Sequence, residues 1–310
     1  MADDPSAGQN RADHLPVYTD DHLRVVARLA ELGGAARYAD LAAVVSQRAI
    51  AAACRDGVLV HLGRDRYVDP GVSDHLKAAI GLGGVLSHLS AAAQHGWSLK
   101  SMPARPHVTV RPNRHLPRGR LTAARVFYRT IGEEQVIDSV TEPVRTVLDC
   151  ARDLPFDEAL TVADSALRSG SVSRADLREA RTAVRGRRSR TARSVLGAAD
   201  ARSANPLESV LRAICLEVPG LQVEPQVEFD LSHRAMVDLA DRHLGIVIEA
   251  EGFETHGTRN GFDKDCRRYT EMVCAGQIVL RFTYTQVMRD PDWVRARVSE
   301  AISISRARTG

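Results

Sequence analysis

Apolar residues begin to recur at helical spacing from Asp20: Leu23, Val26, Ala27 and Ala30 share a face, Thr19 or Asp20 can cap the start, and Gly33-Gly34 ends the run. A short second helix fits residues 37–44. Ser46 is a good N-cap for a third, QRAIAAACRDG, which turns Ile50, Ala53 and Cys54 inward and stops at Gly57. The following VLVHLGRDRYV reads as two short strands around Gly63-Arg64-Asp65. Three helices and a hairpin predict a winged helix-turn-helix over residues 19–72. Residues 1–18 are polar and without period, and read as a disordered tail.

Residues 73–203 mix both periods. GVLSHLSAAAQHGW, PVRTVLDCARDL, DEALTVADSALRSG and SRADLREAR have helical spacing, whereas HVTVR and ARVFYR look like strands. A boundary near Ser203-Ala204-Asn205-Pro206 opens a third part, 204–310. There Pro206 and Glu208 start a helix that buries Val210, Leu211 and Ile214, and three extended runs follow: LQVEPQVEF, RAMVDLA and GIVIEAE. A later helix shows Phe262, Cys266, Tyr269 and Val273 as its buried stripe, with Asp263, Lys264, Arg267, Arg268 and Glu271 outside. VLRFTY is the last core strand, with Arg281 facing either the site or an acid. The expected class is α+β overall, with a mixed α+β middle region and an α/β C-terminal part.

Length and composition fit this division. A chain of 310 residues suits two or three domains, and 44% hydrophobic with 26% charged residues is a globular balance. No apolar run is long enough for a membrane helix, and the N-terminus lacks the features of a secretion signal. Five scattered cysteines without a C-x-x-C read as reduced, buried thiols, so the expected location is the cytoplasm.

The net charge of +3 is small, but its distribution is uneven. Basic residues outnumber acids 29 to 23 over residues 1–204 and trail them 13 to 16 over residues 205–310. Seven arginines and no acid lie between Ser101 and Gly132, and RGRRSRTAR adds five more, including Arg187 and Arg188. Such runs attract phosphate backbones through counterion release, or are solvated loops. In the winged helix, Gln47, Arg48 and Arg55 are placed to meet a major groove, with Arg64 and Arg66 on the wing for phosphates, so DNA is the expected partner. His88 and His95, in an Ala-rich helix, read as packing or capping residues rather than metal ligands.

The chemistry is concentrated in RAMVDLADRHLGIVIEAE. A hairpin turning at His243-Leu244 pairs Arg242 with Gly245, and that register sets Asp238 opposite Glu249 with Cβ atoms about 4.5 to 5.5 Å apart. Period-two alternation adds Glu251 to the same face and sends Ile246, Ile248 and Ala250 to the other. Opposed like charges need compensation, which Mg²⁺ or Mn²⁺ supplies, whereas on a solvated face the acids point to water.

Together, Glu208, Asp238, Glu249, Glu251, His256, FDKDCRRY and IVLRFTYTQV resemble the PD-(D/E)XK nuclease fold. The branch they resemble is that of small bacterial endonuclease-like proteins related to very-short-patch repair endonucleases. The resemblance spans about residues 206–298. It implies a restriction-endonuclease-like mixed sheet flanked by helices and metal-dependent hydrolysis of DNA phosphodiesters. Asp238 and Glu249 would hold the metal, Glu208 would assist, and His256 would move a proton or orient a phosphate. Glu251 stands where the general family has Lys; it is then a second-metal ligand or a base, and His256 or Lys264 stands in for the cation.

The front of the chain has a second resemblance. The winged helix, LSHLSAAAQHGW, HVTVR, EPVRTVLDCARDL and EALTVADSALRSGSVSRADL are similar to AbiE-type abortive-infection antitoxins over roughly residues 20–200. This implies a transcriptional autorepressor of a toxin operon, with a cognate toxin as partner. Two readings stand: a Mg²⁺-dependent DNA endonuclease, and a non-enzymatic regulator or antitoxin with a degenerate nuclease-like domain.

Overall fold

The computed structural model describes residues 18–117, 119, 122–232, 234–251 and 259–309. The tail expected over residues 1–18, apart from Tyr18, and His256, Arg118 and Arg120 lie outside the described residues. The chain forms two compact units, Met1–Gly84 and Val85–Gly310, and is α+β throughout. Among the described residues no helix is long and apolar enough to cross a membrane.

The first unit contains α1 (Asp20–Glu31), β1 (Ala35–Arg37), α2 (Tyr38–Ala42), α3 (Gln47–Arg55), β2 (Val60–Gly63), β3 (Arg66–Val68) and α4 (Asp74–Leu82). The three strands form an antiparallel sheet in the order β1-β3-β2, so the expected hairpin gains a third strand. Thr19 caps α1, and Ser46 caps α3 by accepting from the Ala49 amide at 3.2 Å. The buried face of α1 differs from the expected one. It is His22, Val25 and Leu29, while Leu23 is 56% exposed. Adjacent Val25 and Val26 permit either phase of the helix, and packing on Ile50 and Tyr67 selects Val25 and Leu29 for the same core.

The second unit begins with α5 (His88–Gln94), α6 (Pro143–Asp153), α7 (Phe156–Arg168), α8 (Arg174–Ala183) and α9 (Ser189–Ala198) around a core that includes Trp97, Val147 and Val162. They accompany five short strands: β4 (Val85–Leu86), β5 (His107–Val110), β6 (Arg125–Tyr128), β7 (Val136–Ile137) and β8 (Val140–Thr141), in the order β6-β5-β4-β8-β7.

The unit continues into α10 (Pro206–Leu216), β9 (Glu224–Asp230), β10 (Arg234–Asp241), β11 (Ile246–Glu251), α11 (Arg259–Cys274), β12 (Ile278–Thr283), α12 (Tyr284–Arg289) and α13 (Pro291–Thr309). The sheet order is β12-β11-β10-β9. It is mixed: β9, β10 and β11 are antiparallel in sequence, and β11 runs parallel to β12 across the α11 crossover. One face packs Leu239, Ile246 and Ile248 on α10, α12 and α13. The other sets Val237, Ala240 and Val247 against Met272 of α11. This is the mixed sheet flanked by helices that the sequence predicts.

The middle and C-terminal parts share an interior. Arg212 of α10 reaches Asp164 of α7 with both carboxylate oxygens at 2.6 and 2.7 Å, and neither residue is more than 3% exposed. The five cysteines are free, but only Cys150 and Cys215 are buried; Cys54 is half-buried, and Cys266 and Cys274 are exposed. The latter two lie on the outer face of α11, whose inward side carries Met272 together with Arg268 and Tyr269.

Candidate active site

The register of β10 on β11 is the one expected, with Leu239, Ala240 and Asp241 opposite Ile248, Val247 and Ile246. Continued by one residue it sets Asp238 opposite Glu249, and at that point both ladders beside β10 are interrupted. The β10–β11 pairs end at Leu239–Ile248. On the other side, pairs with β9 pass from Val237–Val227 to Leu239–Pro225, skipping Asp238 and Gln226. Alternation slips accordingly, since Val237 and Ala240 both face the α11 side.

Carboxylates occupy the opening. Asp238 accepts from the Ala250 amide at 2.8 Å through Oδ2, and the Asp238 amide donates to Glu249 Oε2 at 3.4 Å. Glu249 is 5% exposed. Its Oε1 accepts no hydrogen bond, although Arg268 Nη1 of α11 approaches to 3.3 Å. Burial first, and then the negative charge of Asp238, push the Glu249 carboxyl well above the ordinary range. Burial also raises Asp238. Two acids this close resist ionising together.

Glu208 comes from the first turn of α10. Asn205 caps that helix by accepting from the Glu208 amide at 3.1 Å, while the Glu208 carboxylate accepts from the Ala204 amide at 2.8 Å and from Asn205 Nδ2 at 2.7 Å. Gln226 links it to the pair: its Nε2 donates to Glu208 Oε2 at 2.9 Å and lies 3.5 Å from Asp238 Oδ1. Gln226 has φ +53°, a left-handed conformation rare for a side chain of this size. Burial raises the Glu208 carboxyl.

Glu251 acts on the pair through its charge, and has partners of its own on α11 and β12. It accepts from Arg281 Nε at 2.5 Å and from the Tyr269 hydroxyl at 3.0 Å, and the Arg281 guanidinium lies 4.0 Å from the Tyr269 ring centroid. Arg281 therefore has an acid partner, one of the two placements expected for it. Lys264 is exposed.

Of the stripe expected to face inward on helix α11, Tyr269 does so and Cys266 and Val273 do not, while the Phe262 side chain lies outside the described residues. Met272 is buried and Arg268 and Tyr269 are half-buried, while Cys266 and Val273 are exposed. An apolar stripe is the ordinary choice for a helix on a sheet, but here the sheet face carries acids, and Arg268 and Tyr269 answer them. Gln226 and Arg268 are the two site residues that sequence reasoning missed. Gln226 stands opposite Asp238 by the same index arithmetic that set Asp238 against Glu249, and Arg268 lies one turn before Met272; both were legible in principle.

Among the described residues no group of three or more His, Cys, Asp and Glu side chains is arranged to hold a metal ion. The pair Asp238 and Glu249 offers two hard carboxylates, one with an oxygen lacking a hydrogen-bond donor, which fits Mg²⁺ or Mn²⁺ held mainly by waters.

In the first unit Gln47, Arg48, Arg55 and Arg64 are exposed and Arg66 is half-buried. Arg48 and Arg55, seven residues apart, share a face of α3. His88 and His95 of the middle part serve as hydrogen-bonded structural groups: His95 Nε2 lies 2.8 Å from the Thr141 carbonyl oxygen, and buried His88 joins Ser87 to Asp153.

No family model matches the chain. Uncharacterized proteins MT2308 and Rv2248, from two strains of Mycobacterium tuberculosis, are each 27% identical over 254 residues, covering 79% of this chain and 88% of theirs. The crystal structure of the RV2827C protein from the same organism aligns with a TM-score of 0.31 at 16% identity, over 63% of this chain and 81% of that one.

Proposed function

We propose that the chain is a DNA-binding protein whose C-terminal part, resembling PD-(D/E)XK endonucleases, hydrolyses phosphodiester bonds with Mg²⁺ or Mn²⁺. The meeting of two carboxylates, half-buried Asp238 and buried Glu249, at an interruption of the sheet carries this reading. A divalent cation held by the pair supplies an acidified water and offsets phosphate charge. The Ala250 amide orients Asp238. Gln226 holds Glu208 beside Asp238, so that three acids converge while only two share the opening. Arg268 brings a fixed positive charge to Glu249, the service the absent lysine performs for the family, and can offset charge building on a phosphate. Glu251 is neutralised by Arg281 and locks the Tyr269 and Arg281 side chains. The winged helix supplies the grip on DNA through Gln47, Arg48, Arg55, Arg64 and Arg66.

One observation favours the second reading, a regulator or AbiE-type antitoxin with a cognate toxin: Glu251, at the lysine position of the family, is committed to a salt bridge. Incubation of plasmid and linear duplex DNA with Mg²⁺ or Mn²⁺ separates the two. Cleavage by the wild type that is lost in Asp238→Ala and Glu249→Ala supports hydrolysis. Cleavage surviving both substitutions removes the site, and duplex binding without cleavage of any substrate selects the regulator.

A further inference from the structure

Arginines of the RGRRSR run and of the acid-free segment meet around a single cavity in the middle part of the chain. It measures about 240 Å³ and is lined by Arg125, Phe127, Arg129, Asp153, Arg187 and Arg188. Four guanidinium groups line it with one carboxylate, and even with Asp149 behind Arg129 the positive charges are in excess, which favours an anion.

The single carboxylate is already in use. Asp153 lies 2.9 Å from Arg129 Nη2, 3.1 Å from His88 Nε2 and 3.4 Å from Arg188 Nη1. Burial opposes its ionisation, but the His88 ring and the Arg129 guanidinium outweigh that cost and hold its carboxyl down to about 2. Arg129 is further fixed by Asp149, 2.5 Å from its Nη1 and fully buried. By contrast, Arg125 and Arg187 are exposed, and Arg125 acts on a carboxylate through the field it exerts at Glu158. Arg125 stands over the Phe127 ring at 5.2 Å.

The floor of the cavity is rigid. Phe127 stacks on the buried His88 ring with centroids 3.6 Å apart, and His88 is held by Ser87 at 2.9 Å, which in turn accepts from Thr109 at 2.8 Å. His88 and Arg188 both have left-handed backbones, φ +50° and +60°. Non-glycine residues in that region are strained and cluster where geometry serves a ligand.

We propose that this cavity is a phosphoryl-anion site, in which Arg125 and Arg187 bind the oxygens while Arg129 and Arg188, anchored on Asp153, shape the wall. Guanidinium forks match phosphate oxygens two at a time. The volume lies below the range of sites that enclose a drug-sized molecule, so the site takes one phosphate group rather than a whole nucleotide. That group comes from a nucleic-acid backbone or from a small phosphoryl compound, and the site is independent of the Asp238–Glu249 chemistry.

The test is ³¹P line broadening of inorganic phosphate titrated with the full chain, free of divalent cations. Saturable broadening is expected for the wild type and for Arg308→Gln, an exposed control far along α13. Arg125→Gln/Arg187→Gln is expected to weaken binding at least tenfold. Arg187→Gln alone, at an exposed residue, gives a several-fold loss and guards against misfolding of the double variant. Release of phosphate by a short DNA duplex identifies the backbone as the source; retention in its presence identifies a small phosphoryl compound. Absence of saturable binding by the wild type, or equal affinity in the double variant, overturns the proposal.

Discussion

Gln226 stands opposite Asp238 with a left-handed backbone, and its side-chain amide donates to Glu208 at 2.9 Å. A strand residue in that conformation gives up its place in the ladder and gains a contact between α10 and the acid pair.

Two substitutions separate the strain from the contact. Gln226→Ala keeps the unfavourable φ and loses the bridge, and is expected to destabilise the protein by about 1 to 2 kcal/mol. Gln226→Gly relieves the backbone and should cost less than the alanine variant, although glycine ordinarily weakens a strand. Urea denaturation of the pair checks the order, and a more costly glycine removes strain from the account.

The Glu249 carboxyl sets a pH dependence. Burial and the charge of Asp238 raise it from 4.5 to about 8. Its contribution to stability is therefore fully present below about pH 4.5 and lost as the pH rises through 8. Glu249→Gln is neutral throughout, so in the absence of divalent cations it should match the wild type near pH 5 and exceed it near pH 8.5, by on the order of 2 kcal/mol. Denaturation curves at three pH values decide this; parallel profiles mean that Glu249 does not hold a proton.

The Arg212–Asp164 pair is buried on both sides. Asp164→Ala leaves a guanidinium without its counter-charge and should cost about 3 to 5 kcal/mol. Replacing both residues with apolar ones of similar volume should recover most of the loss. Thermal melts of the single and double variants test this, and a double variant no better than the single one contradicts it.

Arg64 and Arg66 on the wing are expected to contact phosphates. Each change to Ala should weaken duplex binding across sequences and lower the slope of log K against log salt by about 1. Fluorescence anisotropy at several salt concentrations measures the slope, and an unchanged slope places the interface elsewhere.

Much of the frame was readable from the chain. Helix caps at Thr19 and Ser46, the stop at Gly57 and the turn at His243-Leu244 are local chemistry, and the Asp238–Glu249 register follows from that turn. Longer-range choices were not readable in this way. Strand β1 exists because Ala35, Ala36 and Arg37 pair with Val68, Tyr67 and Arg66, a partnership set by packing rather than by three short residues. The inward face of α11 was read correctly at Tyr269 but not at Arg268, because hydrophobicity guided the reading and Arg268 is drawn in by a carboxylate on another element. Gln226 escaped notice since a polar residue in a strand usually points to water.

The partnership of Asp164 with Arg212 also bears on the order of events at the ribosome. A chain made only as far as residue 203 has the α7 helix but not the cation that neutralises its interior acid. The middle helices thus lack that counter-charge until the segment through α10 has emerged. The Met1–Gly84 unit, complete much earlier, has no such wait.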